Sequence, residues 1–184
     1  VFGRLRKPAS IRHQGQRLSD ILAAHEKFIR REPGGVCADL SGADLSKADL
    51  QEQNLTGALL SGANLAGSDL RQAKLTRASL TGANLRRADL RNTDMTEAQC
   101  SGADFSEAQI SGVELFRVDL SGGVFHRANL RGTNFRYANV DGADFRGADL
   151  NVAVLRETDW SHAKLEGADT TTTILKGPMP LKPK

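Results

Sequence analysis

From Leu40 to Leu165 an apolar residue recurs every five positions, 26 times, without insertion or gap. A period of five fits neither the 3.6-residue turn of an α-helix nor the two-residue alternation of a strand. No straight element can therefore keep these residues on one side, and the chain must change direction once per unit. Ala stands two positions before the apolar centre in 18 of the 26 units, and Asp or Asn stands immediately before it in 17. The two remaining positions are mostly Ser, Thr, Arg or Gly. This pattern puts the centre and the small residue inside and sends the other three outward. Asp and Asn suit a turn because their side chains bond nearby backbone groups, and Gly tolerates positive φ.

A longer period sets the size of each coil. Gly42, Gly62, Gly82, Gly102, Gly122 and Gly142 lie 20 residues apart, whereas a step of 15 leads from Gly42 through Gly57 to Gln72 and fails. Phe105, Phe125 and Phe145 keep the same 20-residue spacing. Four units per coil would stack the three rings in one column, so the expected architecture is an all-β square solenoid. Coils stacked at the strand spacing of about 4.8 Å would give roughly six and a half coils in a rod of roughly 31 Å.

Runs such as ADLSGADLSKADL (38–50) and GANLAGSDL (62–70) resemble the pentapeptide-repeat family over about residues 36–170. The resemblance implies a right-handed quadrilateral β-helix. Gln53, Val113 and Val118 depart from the pattern, being bulky where Ala is expected, and predict local widening there.

A solenoid leaves both ends open, and repeat arrays need caps. In RLSDILAAHEKFIRREPGG (17–35), Leu18, Ile21, Leu22, His25, Phe28 and Ile29 fall on one helical face, with Ser19 as the expected N-cap and Pro33-Gly34-Gly35 as the stop. Residues 17–35 are thus expected to form a capping helix, 1–16 a basic flexible segment or linker, 36–170 the β-helix, and 171–184 a tail that begins where the TTTT run breaks the pattern. Beginning at Val1 rather than Met, the sequence reads as a fragment or trimmed chain.

Charge divides the same way. Residues 1–35 carry eight Lys/Arg against three Asp/Glu, residues 36–170 carry 14 against 19, and the last 14 residues carry three Lys and no acid. Two cysteines, Cys37 and Cys100, provide no disulfide framework and favour a reducing, cytoplasmic setting. No apolar run is long enough to span a membrane, and the start lacks the apolar stretch of a signal peptide. His126 and His162 fall on different faces, so no metal or other cofactor is expected. Most Asp residues sit at a turn position by periodicity rather than in catalytic pairs, and the glycine-rich phrases lack the strand-to-helix setting of a phosphate loop. No enzyme is indicated.

Two functions remain. One is a protein-interaction scaffold with flat faces and an unidentified protein partner. The other comes from the resemblance: some pentapeptide-repeat proteins mimic nucleic acid and protect bacterial DNA gyrase from quinolones, as strongly acidic rods that dimerise through a C-terminal module. Here Arg71, Arg86, Arg87, Arg91, Arg127, Arg131 and Arg146 interleave with the acids, which disfavours gyrase, and no continuous basic stripe points to direct nucleic-acid binding. The surface expected to dock a partner combines Phe116, Arg117, Arg136 and Tyr137 with Val152 and Val154 in the next coil. The 20-residue step would place Phe116 beneath Arg136 and Arg117 beneath Tyr137, as vertical cation-π pairs.

Overall fold

Backbone pairing in the computed structural model, which describes residues 4–174, joins positions 20 residues apart. Parallel bridges run from Asp39–Leu59 and Asp44–Asn64 through to Asp149–Asp169 and Val154–Ile174. In each rung a centre donates its N–H to the following coil, as Leu40 does to Leu59 (2.7 Å), while the residue before a centre donates backward, as Asn64 does to Ala43 (2.9 Å). A third bond closes each turn, Ala43 N–H to the Leu40 carbonyl at 3.0 Å being typical. The chain is a β-solenoid in which strand pairing runs along the axis.

Two local features make the turn possible at every unit. The side chain before each centre accepts from the backbone N–H two residues on, as Asp39 does from Ser41 (3.1 Å) and Asp104 from Ser106 (2.9 Å). Sixteen of the seventeen Asp and Asn residues at this position between 39 and 164 make that bond. Asp49 is the exception, and the Lys7 ammonium lies 2.5 Å from its carboxylate. The second feature is a left-handed residue at the second turn position. Gly holds it in many units, but Arg87 (φ 57°), Glu107 (φ 60°) and Tyr137 (φ 58°) hold it as well.

The centres and the small residues form one continuous core, with Leu40 through Leu150 no more than 1% exposed at every centre. Phe105, Phe125 and Phe145 stack inside it at centroid separations of 4.8 and 4.5 Å, with planes tilted by 4° and 8°. That separation matches the interstrand spacing, so the rings follow the backbone ladder without distortion. Gln53, Val113 and Val118 lengthen their turn bonds to 3.2, 3.3 and 3.2 Å, against 2.9–3.1 Å where Ala occupies the position.

Residues 4–16, the described part of the segment 1–16 expected to be flexible, are ordered against the first coil. Arg6 pairs with Ala48 as a parallel bridge, Pro8–Ser10 forms a 3-10 turn, and β1 (Arg12–His13) and β2 (Gln16–Arg17) form a short antiparallel hairpin leading into α1 (Leu18–Ile29). The physical reason is the open edge of the first coil. Arg6 accepts from Asp49 N–H and donates to the Lys47 carbonyl, and its guanidinium reaches the carbonyls of Asp44 and Ser46. Low apolar content made this segment look unstructured, yet main-chain pairing needs no apolar side chain.

Helix α1 buries Leu18, Ile21, Leu22 and His25, but Phe28 is 44% exposed and Ile29 half-buried, so the expected face is narrower than the sequence suggests. Ser19 does not cap the helix. Arg17 holds the N-cap position and the Ser19 hydroxyl bonds Asp20 instead. His25 joins the helix to the solenoid, its Nδ1 accepting from Ala38 N–H at 3.1 Å.

At the far end the repeat continues past the expected boundary at 170. Thr171 N–H bonds Asp169, and Ile174 pairs with Val154. The rest of the expected tail, 175–184, lies outside the described residues. Among the described residues the rung between Asn139 and Asp159 is missing from an otherwise regular series. Trp160, the largest centre, packs on Phe135 and Phe145 at 5.1 Å each and donates its indole N–H to the Leu155 carbonyl (3.1 Å), which draws the chain off the ladder.

Two outcomes follow for stability. Phe125→Ala removes the middle ring of the column and should lower the free energy of unfolding by about 3–5 kcal/mol, read by denaturant titration. Burial holds the His25 pKa below its ordinary 6.5, with the nearby Thr56 carbonyl and Glu26 acting in the opposite sense. The folded state therefore favours the neutral ring, and the unfolded chain takes up its proton first as pH falls. Stability contributed by His25 is intact above about pH 6.5 and is lost as pH drops below it. Melting temperature should fall over that range, and His25→Gln should flatten the fall.

Candidate protein-interaction surface

The turn residues stack in columns, and one column carries Phe116, Arg117, Arg136, Tyr137, Arg156 and Glu157. It is positioned by the centres Leu115, Phe135 and Leu155 immediately before it, all buried. Phe116 and Tyr137 meet edge to face, with centroids 5.5 Å apart and planes at 87°. This geometry sets the positive ring edge of one against the negative face of the other.

The arginines do not sit where the 20-residue step put them. Arg117 lies over the ring of its own neighbour Phe116 (5.1 Å), and Arg136 over its own neighbour Tyr137 (5.5 Å). The expected vertical cation-π pairs are thus replaced by pairs within each coil and a diagonal ring contact between coils. Consecutive turn residues diverge by less than a guanidinium can span, so the short path to an aromatic face is along the chain.

A slip in the ladder contributes. Arg117 N–H donates to the Arg136 carbonyl in the regular way, but Tyr137 N–H donates to Glu157 rather than to Arg156. The slip lies beside the missing rung at Asp159, and it brings the Glu157 carboxylate to 2.7 Å from Arg136 Nε. Arg136 holds the Glu157 carboxyl below its ordinary value, and Glu157 raises the guanidinium in turn. Arg117 has a looser partner, Glu97 at 3.9 Å.

Val152 and Val154 are not part of this cluster. Val152 is 45% exposed and belongs to the turn column of Arg131 and Asn151, while Val154 is half-buried in the ladder between Asn134 and Ile174. Val152 holds a left-handed backbone at φ 53°, a conformation that clashes with a β-branched side chain. Sequence reasoning missed Glu97, Arg156 and Glu157, although stepping by 20 from Arg117 and Tyr137 leads to Glu97 and Glu157. Arg156 is buried at Nε without a partner among the described residues, which no periodicity reveals.

Elsewhere the chemistry is quiet. Among the described residues no group of three or more His, Cys, Asp or Glu is placed to hold a metal. Burial pushes the Cys100 thiol up, with Asp119 adding to it. No helix among them is long and apolar enough to cross a membrane.

A repeat of this length and register is diagnostic. The family model for pentapeptide repeats matches residues 36–72, 54–92, 73–112, 83–122 and 114–151, with eight copies. The chain belongs to the pentapeptide-repeat family. Within that family, full-length QnrB1, a plasmid-mediated fluoroquinolone resistance protein, is 25% identical, with a TM-score of 0.70 over 74% of this chain and 72% of that one. A trypsin-treated variant of QnrB1 gives 25% identity and a TM-score of 0.68 over 74% and 69%. The pentapeptide-repeat protein Rfr23 from the cyanobacterium Cyanothece 51142 is 34% identical over 52% of this chain and 63% of its own, with a TM-score of 0.45. No curated protein matches the sequence significantly.

The ring contact can be measured directly. A double-mutant cycle with Phe116→Ala and Tyr137→Ala should give a coupling of about 0.5–1.5 kcal/mol in unfolding free energy.

Proposed function

We propose that this pentapeptide-repeat chain is a non-enzymatic scaffold that docks a protein partner through the column of Phe116, Arg117, Arg136 and Tyr137. The observation that carries the reading is the edge-to-face ring pair flanked by guanidinium groups, with Tyr137 49% exposed. Aromatic and Arg side chains are the types that dominate interface energetics, and here they are held on a rigid ladder with little freedom left to lose on binding. Val152 adds an exposed apolar group on a neighbouring column.

The scaffold is read as a right-handed quadrilateral β-helix, four units per coil over about 6.5 coils in residues 36–170, closed at its N-terminal end by residues 17–35 with α1 as a lid. Bridges at 20-residue spacing and the bonds from Arg6 and His25 to the first coil support that reading. Two free thiols, Cys37 half-buried and Cys100 buried, support a cytoplasmic setting.

The likeness to QnrB1 favours a second reading, protection of DNA gyrase by a nucleic-acid mimic. Against it, nine of the 19 acids in residues 36–170 are paired with arginines, as in Arg77–Glu97, Arg86–Asp104 and Arg131–Asp149, which breaks up the negative charge along the rod. A continuous negative track needs unmatched carboxylates.

Affinity capture from the native host with wild type and with Arg136→Ala/Tyr137→Ala in parallel tests the first reading. The double variant should lose the captured protein and keep its melting temperature. Unaltered capture, or loss accompanied by unfolding, would overturn it. Purified gyrase assayed for supercoiling with a fluoroquinolone separates the second, which requires protection by the wild-type chain.

A further inference from the structure

A different turn column holds a cleft of about 410 Å³ whose walls include Arg86, Glu107, His126, Arg127 and Arg146. It lies directly outside the stacked rings, since Phe105, Phe125 and Phe145 each immediately precede the turn residues that line it. The ladder and the ring stack together fix the spacing of these side chains.

A rule of pairing operates at the second turn position. Arg77 is matched by Glu97 one coil on (2.7 Å), and Arg87 by Glu107 (2.9 Å). Arg127 occupies the same position two coils after Arg87, but one coil beyond it stands Gly147. A Cβ built on Gly147 would meet Arg127 Cγ at 3.8 Å, an ordinary contact, so the arginine stem lies along the bare backbone. The carboxylate that the pattern supplies one coil on is absent; Glu107, one coil before, feels the Arg127 charge but is bonded to Arg87 (2.9 Å), and among the described residues Arg127 makes no ion pair.

The other basic side chains around the cleft are already committed. Arg86 binds Asp104 (3.2 Å), and Arg146 grips Asp144 through Nε (2.9 Å) and Nη2 (2.7 Å). His126 Nε2 lies 3.0 Å from the same carboxylate. With its neighbours matched, the cleft offers one uncommitted guanidinium, which suits a single carboxylate and not the phosphate chain of a nucleic acid.

We propose that the cleft over Gly147 is a receptor for one acidic side chain of a protein partner, gripped by Arg127 in the place that Glu97 and Glu107 fill for Arg77 and Arg87. This surface is separate from the aromatic column, so it stands or falls independently of the scaffold reading above.

The test is a titration of the full chain, followed by ¹⁵N NMR at the arginine side chains, with the peptide acetyl-Gly-Glu-Gly-amide and with its Gln counterpart. The Glu peptide should shift the Arg127 Nε–H resonance and the Gln peptide should leave it in place. Arg127→Gln should weaken the Glu peptide by about threefold to tenfold. Gly147→Glu supplies the missing partner internally and should weaken it equally while keeping the fold, since Glu107 already adopts the same left-handed backbone at φ 60°. Arg136→Ala/Tyr137→Ala should bind the peptide as wild type does, even where capture through the aromatic column is lost. Equal shifts with the Gln peptide, or unchanged affinity in both cleft variants, would overturn the proposal. So would preferential binding of inorganic phosphate or of a single-stranded oligonucleotide over the Glu peptide.

Discussion

The hydrogen-bonded ladder along the solenoid axis is the constraint on which everything else rests. Each coil satisfies its strand backbone groups through the coils above and below, so every coil must contain the same number of residues in the same register. That demand explains why 26 units carry no insertion, because one extra residue would shift every later rung. It also explains the chemistry of the turns. A chain that bends every five residues exposes N–H groups at each bend, and the Asp or Asn side chain before each centre supplies the acceptor.

Because the ladder is rigid, surface chemistry becomes column chemistry. Residues of like turn position stand about one strand spacing apart, so ion pairs form between coils more readily than along the chain. Arg77–Glu97 and Arg87–Glu107 are the plain cases. The same rule turns a missing partner into a feature, since a glycine at the next coil leaves a cation without its acid. The distinctive parts of this molecule are therefore the places where the column pattern fails, Arg127 over Gly147 among them.

Trp160 shows how a core choice reaches the surface. Its ring packs on Phe135 and Phe145 where the chain leaves the ladder and the rung at Asp159 is lost. The displacement shifts the hydrogen bond of Tyr137 to Glu157 and brings that carboxylate onto Arg136. Arg136 is thereby fixed, while Arg117 keeps a loose partner. An oversized side chain in the interior thus sets the geometry of an exterior patch.

The solenoid and the residues that fill it were legible from the sequence, because strict periodicity is a statement about backbone register and apolar burial at once. The four aromatic and basic residues of the candidate surface were legible too, as neighbours in one column. Their pairing was not, since period arithmetic locates Cα atoms and leaves the direction of a long side chain open. Phe28 and Ile29 were assigned to a buried face by helical spacing, but the helix buries only Leu18, Ile21, Leu22 and His25 and leaves Phe28 44% exposed. Residues 4–16 carried little apolar signal, yet the open edge of the first coil recruited their backbone through Arg6, and Ile11 is buried in the core. By itself the sequence determined the register, the core and the columns, because these follow from a repeated local rule. Only the tertiary structure decided how residues 4–29 meet the first coil, which ring meets which, and which arginine stands without an ion pair, because these depend on contacts between coils that no single repeat contains.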